Sequence, residues 1–355
     1  MASICLAMIV KDESHVIERA LLSIKPHIQH WVICDTGSHD DTMQIIERTL
    51  ADIPGELTRA AWVDFAHNRN IVLERALKSG CDYVFSLDAD EWLVVYDEDW
   101  PDGLDKDAYA ILHRFGGNAF PTIRMVSTRL PWHWVGALHE VLECDDMPVI
   151  HPLDGVSMTT DNDGARSRDP EEGAKDLAIL MRMIERDPED TRAMFMIAIT
   201  YNSMGENDKA LEWFRTRSQH QEGNQEERWF ANYRAGLILM QQEKPAEAMA
   251  RLHAAYSLNP KRAEPLFWHG MIYFNRCDYG GALPYFELVA IKPKPVAMFV
   301  EEQMYDFGGM AMAAMCCALS GHREEAKAIR TQLAQEGLAT EDDLAAIDEA
   351  IDIAL

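Results

Sequence analysis

The sequence YVFSLDADE, residues 83–91, runs from an apolar stretch directly into three carboxylates. Its apolar part, residues 83–87, has the length and the side chains of a strand that is buried on both faces of a sheet. The strand stops at Asp88, and Asp90 and Glu91 follow at once. Carboxylates at the end of a buried strand are costly unless a cation or hydrogen-bond donors compensate their charge. The stretch therefore predicts a sheet strand with a polar site at its carboxyl end.

The sequence before this stretch predicts an α/β sheet. Apolar runs with the character of strands alternate with segments that carry apolar residues at helical spacing. The predicted strands are residues 4–10, 30–35 and 57–63, and the predicted helices are residues 15–23, 42–50 and 68–79. Such alternation is typical of a mostly parallel sheet that is covered on both faces. Ligands of these sheets bind at the carboxyl ends of the strands, where Asp35 and Asp88 both lie.

The sequence beyond residue 170 predicts helices only, arranged in degenerate repeats. We predict an α/β domain at residues 1–155, an Asp-, Gly- and Ser-rich linker at 156–170 and a helical domain at 171–355. Small residues such as Gly236 and Gly270 recur at intervals of roughly 34 to 44 residues. This spacing resembles that of tetratricopeptide repeats and predicts four helix pairs. An irregular helical bundle is the alternative.

The composition limits the classes of function. The formal net charge of −26 opposes nonspecific attraction to nucleic-acid backbones and to anionic membranes. The seven cysteines include no Cys-x-x-Cys pair, so we expect reduced, structural thiols. The apolar start lacks a basic region and is atypical of a signal peptide, and no stretch has the length of a membrane span. The sequence therefore predicts a cytoplasmic protein that does not associate with a membrane.

Three motifs carry a resemblance to a known family: ICLAMIVKDE at residues 4–13, DTGSHDDT at residues 35–42 and DADE at residues 88–91. In order and spacing they resemble family 2 glycosyltransferases of the GT-A fold, which is a Rossmann-like α/β fold. The resemblance covers the predicted α/β domain at residues 1–155. The attached repeats are similar to those of the subgroup that joins such a domain to tetratricopeptide repeats, which includes peptide S-glycosyltransferases.

The resemblance implies an enzyme, an inverting and metal-dependent glycosyltransferase. The donor would be a nucleotide diphosphate sugar, by default UDP-glucose or UDP-N-acetylglucosamine. The acceptor would be a hydroxyl, thiol or amine, with a peptide or protein as the expected partner. Asp90 would bind Mn²⁺ or Mg²⁺, hard cations that leave coordination positions for the diphosphate. The implied nucleotide-sugar contacts are Val10, Asp12, Glu13, Asp35, Arg69, Asp88 and Ala89.

Some of these contacts have ordinary structural alternatives. Asp35 would accept a hydrogen bond from uracil or ribose, but a carboxylate before Thr36-Gly37 is also typical of a turn cap. Arg69 would contact the nucleotide, but it also suits the surface of a helix. Asp88 would bind the ribose or the sugar.

A second group of candidate residues lies in WHWVGALHE, residues 132–140, whose Trp-x-Gly-x-x-His-Glu pattern resembles a motif of the subgroup. Inverting transfer needs a base that takes the proton of the acceptor. We assign Glu140 to this role and His139 to contact with the metal or phosphate, and we leave the reverse assignment open. Trp134 would support the face of the sugar. By resemblance His151 would also reach the metal or diphosphate, with a structural histidine as the alternative.

The sequence departs from the family after His151. The family often has a basic or aromatic cluster there, whereas this chain becomes acidic from Asp154 onward. Arg166 and Arg168 are therefore the candidates in this region for holding the leaving phosphate.

Other functions remain open at this point. A modified base in nucleic acid is a second acceptor class, which the acidic composition disfavours. A repeat scaffold for protein interaction, whose glycosyltransferase-like domain has lost activity, is a hypothesis of a different class. A nucleotidyltransferase ranks third, because Lys11-Asp12-Glu13 is not the Gly-rich basic loop such enzymes carry after the first strand.

Overall fold

The structure is a computed structural model that describes residues 2–97, 99–100, 102–115, 118–295, 297 and 299–353. The chain divides into two compact units, Met1–Ile179 and Leu180–Leu355. The first contains a β-sheet with helices and the second is helical, which confirms the predicted succession of an α/β unit and a helical unit. Among the described residues, no helix has both the length and the apolar character needed to cross a membrane.

The first unit is built on ten strands within its described residues. They are β1 (Ile4–Val10), β2 (His30–Asp35), β3 (Gly55–Arg59), β4 (Tyr83–Ser86), β5 (Glu91–Val95), β6 (Ala108–Phe115), β7 (Asn118–Ser127), β8 (His133–Val135), β9 (Val141–Glu143) and β10 (Ile150–Thr160). The described part of one sheet has the order β3-β2-β1-β4-β7-β6-β10-β5, and β8 pairs with β9 in a separate hairpin. The helices of this region are α1 (Ile17–Ile24), α2 (Thr42–Thr49) and α3 (Phe65–Ala76).

The order of the first four strands creates a crevice at the carboxyl ends of the strands. Strands β1, β2 and β3 are parallel and follow each other outward, and the chain then returns to place β4 parallel to β1 on its other side. The strand order thus reverses between β1 and β4. Ligands of open α/β sheets bind outside the carboxyl ends of the strands at such a reversal.

Alternating side chains of β1 explain why both faces of the sheet are covered. Ile4, Leu6 and Met8 pack on one face in a core that includes residues of α1 and α2. Cys5 and Ala7 pack on the other face in a core that includes residues of α3. Fully burying an aliphatic side chain contributes about 1.5–3 kcal/mol, so these two cores fix the parallel half of the sheet that carries the crevice.

Two predicted boundaries differ from the structure near the third strand. The strand expected at residues 57–63 is β3 at Gly55–Arg59, and the helix expected from residue 68 begins at Phe65. The helix starts early because the Asp64 carboxylate accepts a hydrogen bond from the amide of His67 and caps its first turn. The residues between β3 and α3 become a short loop at the carboxyl edge of the sheet.

The predicted linker also differs from the structure. Residues 156–160 belong to β10, which pairs with β5 and β6, and the compact unit continues to Ile179. Val156 and Met158 are buried in the sheet core. The polar residues that alternate with them gave this strand the composition of a linker.

The helical unit follows with four helix pairs among its described residues. Helix α4 (Glu172–Arg186) spans the boundary between the units. The pairs are α5 (Thr191–Ser203) with α6 (Asn207–Gln219), α7 (Gln225–Gln241) with α8 (Pro245–Leu258), α9 (Glu264–Phe274) with α10 (Tyr279–Ala290), and α11 (Gly309–Leu319) with α12 (Arg323–Glu336). A final helix, α13 (Glu341–Ile353), packs on the last pair. The predicted number of pairs is confirmed.

The turn inside each pair has the same backbone conformation. The left-handed region is occupied by Gly205, Glu243, Cys277 and Gly321, one in each turn. In every case the next residue donates its amide to the carbonyl five positions earlier, as Lys244 does to Leu239 at 2.9 Å. This arrangement closes the end of a helix by satisfying its free carbonyls. Four equivalent turns show that the helical unit is a true repeat.

The small residues that recur along the helical unit lie where paired helices approach each other closely. A Cβ atom on Gly236 would lie 2.9 Å from the Leu252 side chain, and one on Gly270 would lie 2.8 Å from Phe286. Real Cβ atoms do not approach this closely, so a larger residue at either position would force Leu252 or Phe286 to move.

Candidate functional site

A cavity of about 740 Å³ opens at the carboxyl ends of β1, β2 and β4. Its volume is that of a site for a small molecule or cofactor. Each of the three sequence motifs contributes to its wall. The predicted residues that line it are Val10, Asp12, Glu13, Arg69, Asp88, Ala89, Asp90 and His139. The structure therefore brings together most of the predicted site at the reversal between β1 and β4.

The loops after β1 and β2 are joined by side-chain hydrogen bonds. Asp12 lies in the left-handed region, its amide donates to Ser38 Oγ at 2.9 Å and its Oδ1 accepts from the amide of His39 at 2.7 Å. The amide of Ser14 donates to Asp40 Oδ2 at 3.0 Å. Burial raises the pKa of Asp40, but hydrogen bonds from Ser14 and Thr42 outweigh it and lower the pKa to about 2. The SHDD part of the second motif thus shapes the loop that follows the first strand.

Asp35 does not line the cavity. Its carboxylate is 1% exposed and accepts hydrogen bonds from the amides of Gly37 and Ser38, with Arg59 Nε at 3.7 Å. These contacts correspond to the turn-capping alternative and not to the predicted contact with uracil or ribose. A buried carboxylate whose lone pairs are taken by turn amides holds the loop in place instead.

Arg69 connects two carboxylates at the wall of the cavity. Its Nη2 donates to Asp88 Oδ1 at 2.6 Å, and its Nε donates to Glu140 Oε1. Arg69 is 8% exposed, so it is not the surface residue of the alternative interpretation. Glu140 lies against Arg69 and does not line the cavity. The predicted role of Glu140 as the base is therefore not supported by its position, because its carboxylate is bound to Arg69 and lies outside the cavity lining.

The ion-pair network continues behind Asp88. Arg124 Nη2 donates to Glu91 Oε1 at 2.6 Å, and Arg124 Nη1 lies 3.5 Å from Asp88 Oδ2. Burial raises the pKa of Asp88, but the charges of Arg69 and Arg124 outweigh it and lower the pKa to about 2. Burial raises the pKa of Glu91 to about 7, against the lowering effect of Arg124. Asp88 is thus a carboxylate whose ionised form is favoured by two arginines.

Asp90 differs from its neighbours because its charge is poorly compensated. Thr160 Oγ1 is 3.4 Å from Asp90 Oδ2, which is a long hydrogen bond. Burial raises the pKa of Asp90, and the charge of Asp88 raises it further. Burial also raises the pKa of Glu13, with the charge of Asp90 among the causes. This side of the cavity has an excess of negative charge that a cation would relieve.

The described residues fit a divalent cation only in part. They contain no group of three His, Cys, Asp or Glu side chains close enough to hold a metal ion by themselves. A Mg²⁺-type ion is often held by one or two carboxylates together with substrate phosphates, so Asp90 alone is compatible with such a site. The backbone of Gly164 approaches Asp90 so closely that a Cβ atom there would lie 3.2 Å from Oδ2.

Two further predicted residues lie away from the cavity. Trp134 is 8% exposed, and its backbone bonds to the side chain of Asn70 at 2.8 and 2.9 Å. Its ring lies 5.0 Å from the Arg69 guanidinium, so it supports Arg69 and not a sugar. His151 pairs with Tyr109 at the start of β10, whereas Thr160 beside Asp90 is at the other end of that 11-residue strand. The predicted metal role of His151 is not supported by this position.

Several cavity residues were not among the predicted contacts. Trp62 and Phe65 form an edge-to-face pair with ring centroids 4.7 Å apart, and the Arg166 guanidinium lies 4.5 Å from the Phe65 ring. Arg166, a predicted phosphate contact, lines the cavity but also pairs with Glu172 and with Asp176 at 2.5 Å. The sequence signal for this was Asp64, whose carboxylate caps α3. A cap at this position ends the loop after β3 beside the site.

Comparisons with known proteins find a relative that contains TPR repeats. No protein-family model matches the sequence. A stretch of 96 residues, 27% of this chain, is 35% identical to a TPR repeat-containing protein of Synechococcus elongatus, of which it covers 22%. The chain therefore spans about a fifth of the length of this curated relative. The match supports the interpretation of the helical unit as tetratricopeptide-like.

Solved structures with similarity to the chain include MamA and YrrB. The MamA structure has a TM-score of 0.37 and 15% identity over 50% of this chain and 90% of that one. YrrB, described as a TPR protein with an unusual peptide-binding site, has a TM-score of 0.35 and 19% identity over 50% of this chain and 93% of that one. The relationship of the first unit to family 2 glycosyltransferases stays a prediction.

Proposed function

We propose that the first unit binds a nucleotide diphosphate sugar and transfers the sugar to an acceptor, and that the helical unit binds peptides or proteins. The observation that carries the first part is the cavity at the reversal between β1 and β4, which three separate motifs build. Its aromatic pair, Trp62 and Phe65, offers apolar surface for a flat ring. The carboxylates of Asp88 and Asp90 form its acidic side, which suits a cation that binds a diphosphate.

The proposed cation would be held by Asp90. When bound, Mn²⁺ or Mg²⁺ would neutralise the charge of the leaving nucleotide diphosphate. Asp88 is held ionised by Arg69 and Arg124 and would accept hydrogen bonds from ribose or sugar hydroxyls. The loop after β1, which the bonds from Ser38 and Asp40 fix, would present backbone groups to the base.

His139 is the better candidate for the base of the transfer. It lines the cavity, whereas Glu140 is bound to Arg69. His139 lies in the left-handed region of the turn between β8 and β9, which also contains Gly136 with φ of 106°. Strained residues of this kind occur often at functional sites. Glu140 would then be a positioning residue that orients Arg69.

A peptide or protein interaction scaffold is the second candidate function. The similarity to a TPR repeat-containing protein favours it, and this comparison supports the scaffold more than it supports transfer. In this alternative the first unit has lost activity and the repeats carry the function. Helical repeats present extended surfaces to partners. A nucleic-acid acceptor is less favoured because the net charge is −26.

Binding and hydrolysis of a panel of UDP-sugars with Mn²⁺ would distinguish the two functions. We expect wild-type protein to release UDP in a metal-dependent reaction and Asp90→Ala to lose it. Asp146→Ala, an exposed carboxylate of the same unit outside the cavity, is the matched control. If no nucleotide binds to the wild type with or without metal, catalysis is excluded and the scaffold is the remaining function.

A further inference from the structure

The connections between the helix pairs are unequal in length. Those between the first three pairs are residues 220–224 and 259–263, whereas the connection before the last pair is residues 291–303 and is followed by a π-helical turn, Met304–Gly308, that leads into α11. The longer connection includes residues 299–301, which are Phe299, Val300 and Glu301. Phe299 and Glu301 reach back to the first helices of the preceding pairs. Val300 between them is buried in a core cluster with Leu266 and Val289 of the third pair.

Residues 299–301 lie on a surface that we define by Phe195, Phe230, Tyr233 and Arg262 and call the Phe230 surface. The Phe299 ring lies over Phe230, with centroids 4.0 Å apart and planes at 32°, and 6.3 Å from Phe195. The Phe299 carbonyl accepts a hydrogen bond from Arg262 Nη2 at 2.9 Å. Tyr233 donates its hydroxyl hydrogen to Glu301 Oε1. The segment is thus held through a ring, a backbone carbonyl and a carboxylate.

The donors of the Phe230 surface are themselves fixed in place. Arg262 is fully buried and donates to Glu264, with Nη2 and Oε1 2.7 Å apart. The Tyr233 oxygen accepts from the Trp268 indole at 2.8 Å, which leaves its hydrogen directed at Glu301. Donors that are oriented before a ligand arrives lower the cost of binding it.

Residues 299–301 make these contacts at a cost. Phe299 has φ of +58°, a conformation that is rare for a bulky residue. Glu301 places a carboxylate close to that of Glu264, and its own amide donates to Glu264 Oε1 at 3.4 Å. Phe230 and Phe299 both remain half-exposed, so the stack is accessible to solvent. Strained backbone of this kind occurs at ligand clamps and switch regions.

We propose that the Phe230 surface is a binding site for a peptide with an aromatic residue followed two positions later by a carboxylate, and that residues 299–301 occupy this site in the free protein. The proposal rests on the peptide-binding role of the helical unit and is independent of sugar transfer. The seated segment defines the chemistry of the partner. A peptide that carries the same groups would compete with it for the surface.

The test uses a fluorescently labelled peptide that copies residues 295–302 and the full-length protein. The release variant is Phe299→Ala with Glu301→Gln, and the control is Leu288→Ala with Glu287→Gln on the exposed side of α10. We expect the release variant to bind the peptide at least tenfold more tightly than wild type or control. A factor of about ten corresponds to a segment that occupies the site in nine of ten molecules. Equal binding by all three folded proteins would overturn the proposal.

A second pair of measurements separates this inference from the broader proposal that the helical unit binds peptides. In the release variant, Phe230→Ala and Tyr233→Phe should each weaken the binding of the peptide. Tight peptide binding that survives both changes would leave the helical unit as a peptide binder and overturn the assignment to this surface. Failure of unrelated peptides and of this one to bind any variant would overturn the peptide-binding role itself.

Hydrogen exchange on wild-type protein covers the case in which the release variant does not fold. Excess peptide should speed exchange at the amide of Glu301, because this amide loses its Glu264 acceptor when the segment leaves. Unchanged protection at saturating peptide would overturn the proposal.

Discussion

The two units bury charged side chains in different ways. In the helical unit, Arg262 and Glu264 are both fully buried and face each other at 2.7 Å, and Tyr305 donates a further hydrogen bond to Glu264 at 2.7 Å. In the first unit, Asp90 follows a network of carboxylates and arginines in the chain but is not paired with it, and its carboxylate has a long 3.4 Å bond to Thr160. Paired buried charges hold a fold, whereas an under-compensated carboxylate at a cavity is a place for a ligand.

The largest effect is expected where the charges are fully paired. Glu264→Ala leaves Arg262 buried without its main partner, and we expect a loss of about 3–5 kcal/mol in the free energy of unfolding. Urea denaturation would measure it, with Glu287→Ala on the surface of α10 as the control. A loss below about 1 kcal/mol would show that the buried pair of Arg262 and Glu264 stabilises the fold no more than the charges around Asp90 do.

The next effect is ligand-induced stabilisation at Asp90, the carboxylate whose charge is poorly compensated. Mn²⁺ with UDP should stabilise the wild type, by about 2.7 kcal/mol at a hundred times the dissociation constant, and should not stabilise Asp90→Asn. Because the folded state raises the pKa of Asp90, the ionised carboxylate destabilises the fold, and its neutral replacement should not lower the Tm. Thermal unfolding with and without the ligands would measure both. Equal ligand-induced shifts in wild type and variant would remove Asp90 from the site.

A smaller effect is expected in the dependence of stability on pH. The pKa of Glu91 is raised to about 7, so its contribution is fully present below its ordinary pKa near 4.5 and is lost as the pH rises through 7. Between pH 5 and pH 8 this loss should be roughly 1–3 kcal/mol. Glu91→Gln should flatten that slope, whatever its effect on absolute stability. Urea denaturation at several pH values would check this, and parallel slopes for both proteins would contradict it.

The smallest effect on stability is expected for residues in the left-handed conformation, one from each unit. Glu243 occupies a turn position where two other pairs have glycine, so Glu243→Gly should raise the free energy of unfolding by about 1 kcal/mol. Asp12→Gly should give no such gain, because the Asp12 carboxylate accepts the amide of His39 at 2.7 Å. Parallel thermal unfolding of both variants measures the difference. Equal gains would mean that the strain at Asp12 has no connection with the site.

The sequence predicted those parts of the site that follow directly from strands. Motifs at the ends of β1 and β4 meet at one edge because parallel neighbouring strands end together, so Asp88 could be placed from the pattern alone, whereas Asp12 was expected there from the family resemblance. Asp35 ends β2 in the same way, but its burial depends on how the turn after it folds. The chain pattern does not show whether a carboxylate faces the ligand or its own loop.

Other features depend on contacts between distant parts of the chain. Glu140 meets Arg69 across 71 positions, so its ion pair could not be read from the WHWVGALHE motif. Trp62 and Phe65 reach the cavity because Asp64 caps a helix earlier than the apolar spacing indicated. Strand β10 was hidden because its buried residues alternate with polar ones of linker composition. The repeats were predictable because their crossings demand small residues at fixed spacing.

The seating of Phe299 near Phe195 bears on how the helical unit unfolds. In a simple array each repeat touches only its neighbours, so unfolding can begin at an end and proceed stepwise. Here the connection before the last pair contacts a helix of the first pair, and this ties distant repeats into one cooperative unit. The helical unit should therefore lose its pairs together in a single transition, and freeing residues 299–301 should split that transition into steps.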